Sequence, residues 1–434
     1  MKHHRITRYG ACAVLFLCAS LTLGALPRAE TPLRSEEAPG PRADYTTVDF
    51  ARESRNFAFD LFRELAAAES HDNLVVSPHS ITTAILMLYA GAEGETATQI
   101  TGALRLSASG EDLLRTAGLL QTSLMPDDHD EEERPEAEGD PFTLRVANGL
   151  WLDTGYPVRP DFLRRLQQHL QSETATTDFS GSPDESRHEI NSWIAQQTED
   201  RIPDLLPQGS ITPLTRLVLA NAVYFLAGWQ QPFIEGATRD GQFTTARGMQ
   251  RTVPLMQLVA GVPVYMGDDT IAVELPYAGG DTSFIAFMPR DPDAFTQWQR
   301  TLDRDRFDRI RDALSRTRAD VTLPRFSAET SLSLPQTMQR LGMRNVFHPD
   351  LADLSGISGN RDLYATDIIH RSVIDVDEQG TEAAAATAVI VGVRSVVEQD
   401  DPVRIRFDRP FVYTLYDTHS ESILFIGRVT DPSL

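Results

Sequence analysis

Apolar positions along the chain change their spacing several times, and each change marks an element. From Ser54 onward Phe57, Ala58, Leu61, Phe62, Leu65 and Ala66 recur at helical spacing, which predicts an amphipathic helix. The same criterion predicts helices over Ile81–Ala90, Asp161–Gln171 and Glu185–Glu199. Between them, Thr143–Leu152, Ser283–Met288 and Val321–Phe326 have the composition of strands. Two more strands, Phe411–Tyr416 and Ser422–Gly427, flank a polar turn at Asp417–Glu421.

Helices dominate the first half and strands the second, without the regular alternation of a doubly wound parallel sheet. The fold class expected is therefore α+β. No internal repeat and no second linker divides the body, so residues 51–434 form one domain. Residues 26–50 are expected to be a flexible leader, since Pro27 to Asp44 is rich in Pro, Glu, Arg and Ala and has no hydrophobic period. Residues 1–25 have the pattern of a signal peptide. Lys2, Arg5 and Arg8 precede an uncharged apolar run from Ala11 to Leu26, with the small residues Gly24 and Ala25 near its end. That run is short for a transmembrane anchor; the alternative is a buried N-terminal helix. The expected location is secreted or periplasmic.

Composition narrows the function. The formal net charge is −22, and Lys2 is the only lysine. Nucleic-acid and anionic-lipid surfaces need clustered basic residues, so neither partner is expected, nor is membrane insertion of the mature chain. Both cysteines, Cys12 and Cys18, lie in the signal segment. Cleavage near Ala25 would leave no thiol for disulfides, catalysis or zinc. Asp127–Asp140 is a dense acidic run, either a solvated loop or a steering arm for a basic target surface.

Catalytic signatures are missing. There is no GxSxG elbow, no phosphate loop and no GxGxxG after a strand. His188-Glu189 is followed by Asn191 and Ser192 where a zinc helix needs a second histidine. No cofactor or metal is implied, and the chain is not expected to be an enzyme. A hydrolase triad assembled only in space is the alternative from another class.

The segment Asp375–Ser395, DVDEQGTEAAAATAVIVGVRS, stands out. Its alanines could form a helix, but it starts at a glycine and ends in β-branched residues, which favour a strand. At period two, one face collects Thr381, Ala383, Ala385, Thr387, Val389, Val391 and Val393, all uncharged and small at the start. The other face ends in Arg394. Such a segment is an aggregation hazard at a sheet edge unless it is put to use.

Here the chain resembles a family. Glu378 to Glu382 and the alanines after it look like the reactive-loop hinge of inhibitory serpins. Ile405–Leu415 (IRFDRPFVYTL) and Phe425–Val429 (FIGRV) are similar to the family's closing segments. Upstream, NLVVSPHSITTAILMLY (Asn73–Tyr89), RIPDLLP, NAVYFLAGWQQPF, VELPY, FMP and ADLSG follow in family order. The resemblance spans about Asn56 to Pro432 and points to a bacterial, secreted, inhibitory member.

The resemblance implies three β-sheets, eight or nine helices and an exposed reactive loop, about residues 378–402. It also implies inhibition by suicide-substrate trapping: a protease acylated at the loop is carried off as the cut loop inserts into a sheet, a switch for which serpins are a standing example. The reactive bond would be Arg394–Ser395, suiting a trypsin-like target; cleavage beside Val393 or Val391 would instead suit an elastase-like one, and Arg394 as a mere solubilising charge is a further reading. The hinge is Glu378, Gly380, Thr381, Glu382, Ala383, Ala384, Ala385 and Ala386. Ser77, Ser80, Asn221 and His370 match the polar shutter, Trp229 and Arg325 the breach where insertion begins, and Arg325 with Glu378 a partly exposed ion pair. The partner is a target serine protease and the inhibitor a monomer. Departures from the family pattern are Leu226, where many relatives carry a basic residue, the longer stretch from Ser395 to Arg406, and the acidic run, whose charge opposes a polyanionic cofactor. A non-inhibitory serpin acting as a carrier is the alternative within the family.

Overall fold

Helix α1 (Thr47–Ala68) starts ahead of Ser54 because its first turn is polar and capped. The Thr46 hydroxyl accepts the Asp49 N–H at 3.2 Å and donates to the Asp49 carboxylate at 2.8 Å, which closes the helix start. Residues 47–50, assigned to the leader by composition, are thus helical. The computed structural model describes residues 45–68, 72–124, 143–170, 172–381 and 401–434. All of these lie in the unit Pro41–Leu434. The signal segment, the leader up to Asp44 and the acidic run Asp127–Asp140 lie outside the described residues.

The helices continue with α2 (Pro78–Tyr89), α3 (Gly94–Ala103), α4 (Gly110–Leu124), α5 (Pro160–Arg165), α6 (Pro183–Gln197), α7 (Phe295–Trp298), α8 (Arg304–Asp312), α9 (Pro335–Arg340) and α10 (Ser355–Ser358). The helix expected over Asp161–Gln171 is split: α5 passes into a π-helical turn at Leu166–Leu170. The turn sits against Gly118 of α4, where a Cβ would come 1.6 Å from the His169 carbonyl oxygen, so the two backbones touch.

The strands are β1 (Leu74–Val76), β2 (Thr143–Asp153), β3 (Glu173–Thr177), β4 (Leu217–Gly228), β5 (Arg239–Thr244), β6 (Gln250–Met266), β7 (Thr270–Pro276), β8 (Thr282–Pro289), β9 (Ser315–Pro324), β10 (Phe326–Ser333), β11 (Asp367–Val376), β12 (Gly380–Thr381), β13 (Val403–Arg406), β14 (Phe411–Asp417) and β15 (Ser422–Val429). The strand expected over Val321–Phe326 is interrupted. Pro324 ends β9, the Arg325 N–H turns aside to the Pro254 carbonyl, and β10 begins at Phe326 in a different sheet.

Hydrogen bonds join the strands into a six-stranded sheet, β10-β11-β12-β4-β2-β3, and a nine-stranded one, β1-β15-β14-β8-β7-β6-β9-β13 with β5 on β6. The 17-residue β6 pairs with β5 and β9 over most of its length and with β7 only at its end, which divides the larger network into two parts. The described strands thus form two hydrogen-bonded networks, the larger one divided at β6, where the resemblance implied three sheets. The six-stranded sheet is covered on both faces. Leu217, Leu219, Val223 and Phe225 of β4 enter the main core with α1 and α2. The alternating Val218, Ala220 and Ala222 join Ile190 and Ile194 of α6 in a second core. Double burial explains why β4 is an unbroken apolar run with one exception, Asn221.

Candidate functional site

The six-stranded sheet has a seam. Strands β4 and β11 are parallel neighbours from Val218 opposite Asp367 to Tyr224 opposite Val373, and no further. Above that row β12 enters between them, with Thr381 opposite both Val376 and Ala227, and Gly380 opposite Gly228. Two of the residues matched to the hinge, Gly380 and Thr381, are therefore already in the sheet. Only glycine fits at 380, since a Cβ would stand 2.1 Å from the Ala227 carbonyl oxygen. Thr381 is fully buried, with its hydroxyl 2.5 Å from that of Tyr277. Burial raises the Tyr277 pKa, so the phenol stays neutral and can donate.

The turn that leads from β11 into β12 is clamped from one side. Asp377 closes it by accepting the N–H groups of Gln379 at 2.8 Å and Gly380 at 3.1 Å. The Trp229 indole N–H donates to the Asp377 carbonyl at 2.9 Å, the Trp229 backbone N–H to Gln379 at 2.8 Å, and Phe233 N–H to Glu378 at 2.9 Å. Three successive carbonyls are thus held by residues 229–233. Trp229 in turn stacks on Tyr277, with centroids 4.6 Å apart and planes 8° off parallel.

Glu378 and Arg325 pair as expected, at 2.6 and 2.8 Å, and the Thr238 hydroxyl donates to the same carboxylate at 2.6 Å. The pair is not evenly exposed, however. The Glu378 side chain is 5% accessible and that of Arg325 52%, because the carboxylate lies under the clamp while the guanidinium reaches in from the rim. Burial alone would raise the Glu378 pKa, but the hydrogen bonds from Thr238 and Arg325 outweigh it and hold the carboxyl below its ordinary value.

Below the hinge, Asn148, Asn221 and His370 stand in one row across β2, β4 and β11. The Asn221 amide donates to Ser80 Oγ, to the Ser80 carbonyl and to Asn148 Oδ1, and its oxygen meets His370 Nδ1. Ser77 N–H donates to His370 Nε2 at 3.4 Å, which places the imidazole proton on Nδ1, facing Asn221. Ser77 also caps α2, accepting the Ser80 N–H at 3.2 Å. Burial drives the His370 pKa down to about 3, so the ring is neutral. All four shutter residues converge, and they span the part of the seam where β4 and β11 are still joined.

Sequence reasoning placed Glu378, Gly380, Thr381, Trp229 and Arg325 at one end of this seam and the shutter at its middle. It missed Tyr277, Thr238, Asp377 and Asn148. Tyr277 lies in the VELPY run already singled out, so its signal was present without a role attached. Thr238 and Asn148 carry no local signal, since their roles come from strand register alone. Glu382, Ala383, Ala384, Ala385, Ala386, Arg394 and Ser395 lie outside the described residues.

This arrangement, a short strand entering the top of a split sheet over a polar row, was compared with known proteins. The chain matches the family described as "Serpin (serine protease inhibitor)" over residues 52–432. It belongs to the serpin family. A leukocyte elastase inhibitor of Bos taurus is 36% identical over 384 residues, covering 87% of this chain and 97% of its own. An uncharacterized serpin-like protein of Thermococcus kodakarensis is 35% identical over 377 residues, covering 87% and 84%. Among solved structures, Serpin48 of the insect Tenebrio molitor superposes with a TM-score of 0.75 at 27% identity, covering 88% of this chain and 98% of that one. The serpin fold is thereby established, and membership points to protease inhibition in general. No helix among the described residues is long and apolar enough to cross a membrane.

Proposed function

We propose that this serpin is an exported, monomeric inhibitor that traps a trypsin-like serine protease, with Arg394–Ser395 as the bond attacked and a secreted or periplasmic site of action. The observation that carries the reading is the position of Gly380 and Thr381, two uncharged residues seated between β11 and β4. In the reaction, the protease serine attacks the Arg394 carbonyl, the bond to Ser395 breaks, and the new amine leaves on Ser395. Residues 382–394 can then follow Thr381 into the seam. Thirteen residues in extended form span about 40 Å, so the acylated end would travel the length of the sheet. Insertion must part β4 from β11 and separate His370 from Asn221, a network of neutral hydrogen bonds that can re-form around a new strand. Arg394 suits a primary pocket with an acid at its base.

The test is to mix the protein with trypsin, run a denaturing gel and identify the released peptide by mass spectrometry. A band of summed mass with a peptide beginning at Ser395 is the expected result, and Arg394→Ala should abolish it. Cleavage at that bond without a trapped band would favour a non-inhibitory serpin. Cleavage beside Val391 or Val393 would move the reading to an elastase-like target. N-terminal mass analysis of protein recovered outside the cytoplasm tests export.

A further inference from the structure

Helix α1, the first turns of α2, helix α4 and the start of β15 meet around a small cavity of about 10 Å³. Its walls are largely apolar, with Phe50 on one side and Leu120 on another. Four of its lining residues each carry a buried polar atom without a partner among the described residues: Ser54 Oγ from α1, His79 Nε2 and Thr82 Oγ1 from α2, and Ser422 Oγ from β15. His79, Thr82 and Ser422 are each more than nine-tenths buried.

That convergence is not how buried polar groups usually behave. A helical threonine ordinarily donates to the carbonyl of the preceding turn, and Thr83 does so, bonding the His79 carbonyl at 3.1 Å. Thr82, next to it, makes no such bond although it lines the cavity. Interior polar groups are paired almost without exception, by protein or by ordered water. A cavity of roughly 10–15 Å³ holds one water, which needs two to four polar partners. Three hydroxyls that both donate and accept, with one imidazole nitrogen, supply them. No carboxylate lines the cavity, so its chemistry does not suit a cation.

We propose that this cavity is a binding site for a single ordered water molecule, held by Ser54, His79, Thr82 and Ser422 and bridging α1, α2 and β15. Burial drives the His79 pKa down to about 4, so the ring is neutral and its nitrogen is available to the water. The same first turn of α2 carries Ser77 and Ser80, which seat His370 and Asn221 on its other side. The water therefore fixes the turn from behind while the shutter holds it from the front.

A crystal structure of the protein at about 1.8 Å or better tests this, since an ordered water oxygen and the Thr82 rotamer are then resolved. A density peak within hydrogen-bonding distance of at least three of the four atoms is the expected result. An empty cavity, or Thr82 rotated onto the carbonyl of Pro78, would overturn the proposal. In solution, water oxygen-17 relaxation dispersion counts long-lived internal waters. Thr82→Ile, which fills the cavity with carbon, should show one fewer than the parent, and an equal count would overturn the site. Ser422→Val makes the same test from β15 should the helix variant fail to fold.

Discussion

The hydroxyl of Tyr277 lies 2.5 Å from the hydroxyl of Thr381, inside a sheet that Thr381 has only just entered. Tyr277 belongs to neither strand of the seam. It follows β7, is held flat by Trp229, and reaches the hinge from below. The hinge is thus anchored at its leading residue by a side chain from the other sheet. The contact ties β12 to the second sheet, so it bears on how firmly this short strand is held.

Tyr277→Phe removes the partner and leaves the Thr381 hydroxyl buried alone. An unsatisfied buried hydroxyl costs about 1–3 kcal/mol. The ring and its stacking on Trp229 are kept, so the loss should appear as looser hinge attachment and not as a collapsed core. Faster limited proteolysis at the hinge, with a modest drop in thermal midpoint, is the expected outcome. Unchanged proteolysis would show that the hydroxyl pair contributes nothing to holding β12.

Arg325→Ala should expose an asymmetry that sequence alone concealed. A pair exposed on both sides would be worth about 0–1 kcal/mol. Here the buried member is Glu378, and removing Arg325 leaves its charge with Thr238 alone. Truncating one partner of a fully buried pair costs about 3–5 kcal/mol, and the half-exposed guanidinium brings the expectation down to about 1–2 kcal/mol. Adding Glu378→Gln should recover part of the loss, because the charge is then gone. A double variant no more stable than Arg325→Ala, by thermal unfolding, would place the cost elsewhere.

How much of this was legible beforehand depends on whether a role is written locally. The hinge was found by resemblance, and the run of small residues from Ala383, which period-two alternation sorts by face, supports it. The shutter was found by resemblance, and Asn221 supports it independently as the one polar break in the buried run of β4. The start of α1 was missed because Thr47 to Glu53 is mostly polar, and only the Thr46–Asp49 cap reveals it. The Arg325–Glu378 pair is partly exposed, as expected, but which partner is buried was not legible, because burial there is created by residues 229–238, far away in sequence. Asn148 and Thr238 were illegible for the same reason: each acts through register or a long-range approach.

Acid should weaken the native state before its carboxylates titrate. His79 and His370 have folded pKa values of about 4 and about 3, both below the ordinary 6.5, and burial is the cause. The unfolded chain takes up protons at these rings near 6.5, while the native state refuses them. The stabilising contribution is therefore complete above pH 6.5 and lost as pH falls toward 4, at up to about 1.4 kcal/mol per pH unit for each histidine. Glu378, whose folded pKa is lowered, adds a further loss only below its ordinary value. The thermal midpoint measured from pH 8 to pH 4 should decline, and His79→Leu should roughly halve the slope between pH 6 and pH 4.5, since one of two titrating rings is removed. A flat profile would mean that both rings can take up a proton in the native state.

Thr381→Arg separates the fate of the trapped protease from recognition of the bait. Residue 381 is fully buried, flanked by Val376 and Ala227, and capped by Tyr277. An arginine there would bury its charge between two apolar strand neighbours, and an unpaired buried charge costs several kcal/mol. The hinge would be pushed out of the sheet and kept out. Arg394 is untouched, so a trypsin-like enzyme should cut the Arg394–Ser395 bond at a rate like the parent's. What fails is the race: insertion falls behind deacylation, the acyl-enzyme hydrolyses, and active protease returns. The gel should show cleaved serpin without the summed-mass band, and residual trypsin activity should recover with time. Thr381→Ser, small and neutral with its hydroxyl retained, should trap as well as the parent. If the arginine variant trapped equally well, the entry of β12 between β11 and β4 would have no part in inhibition.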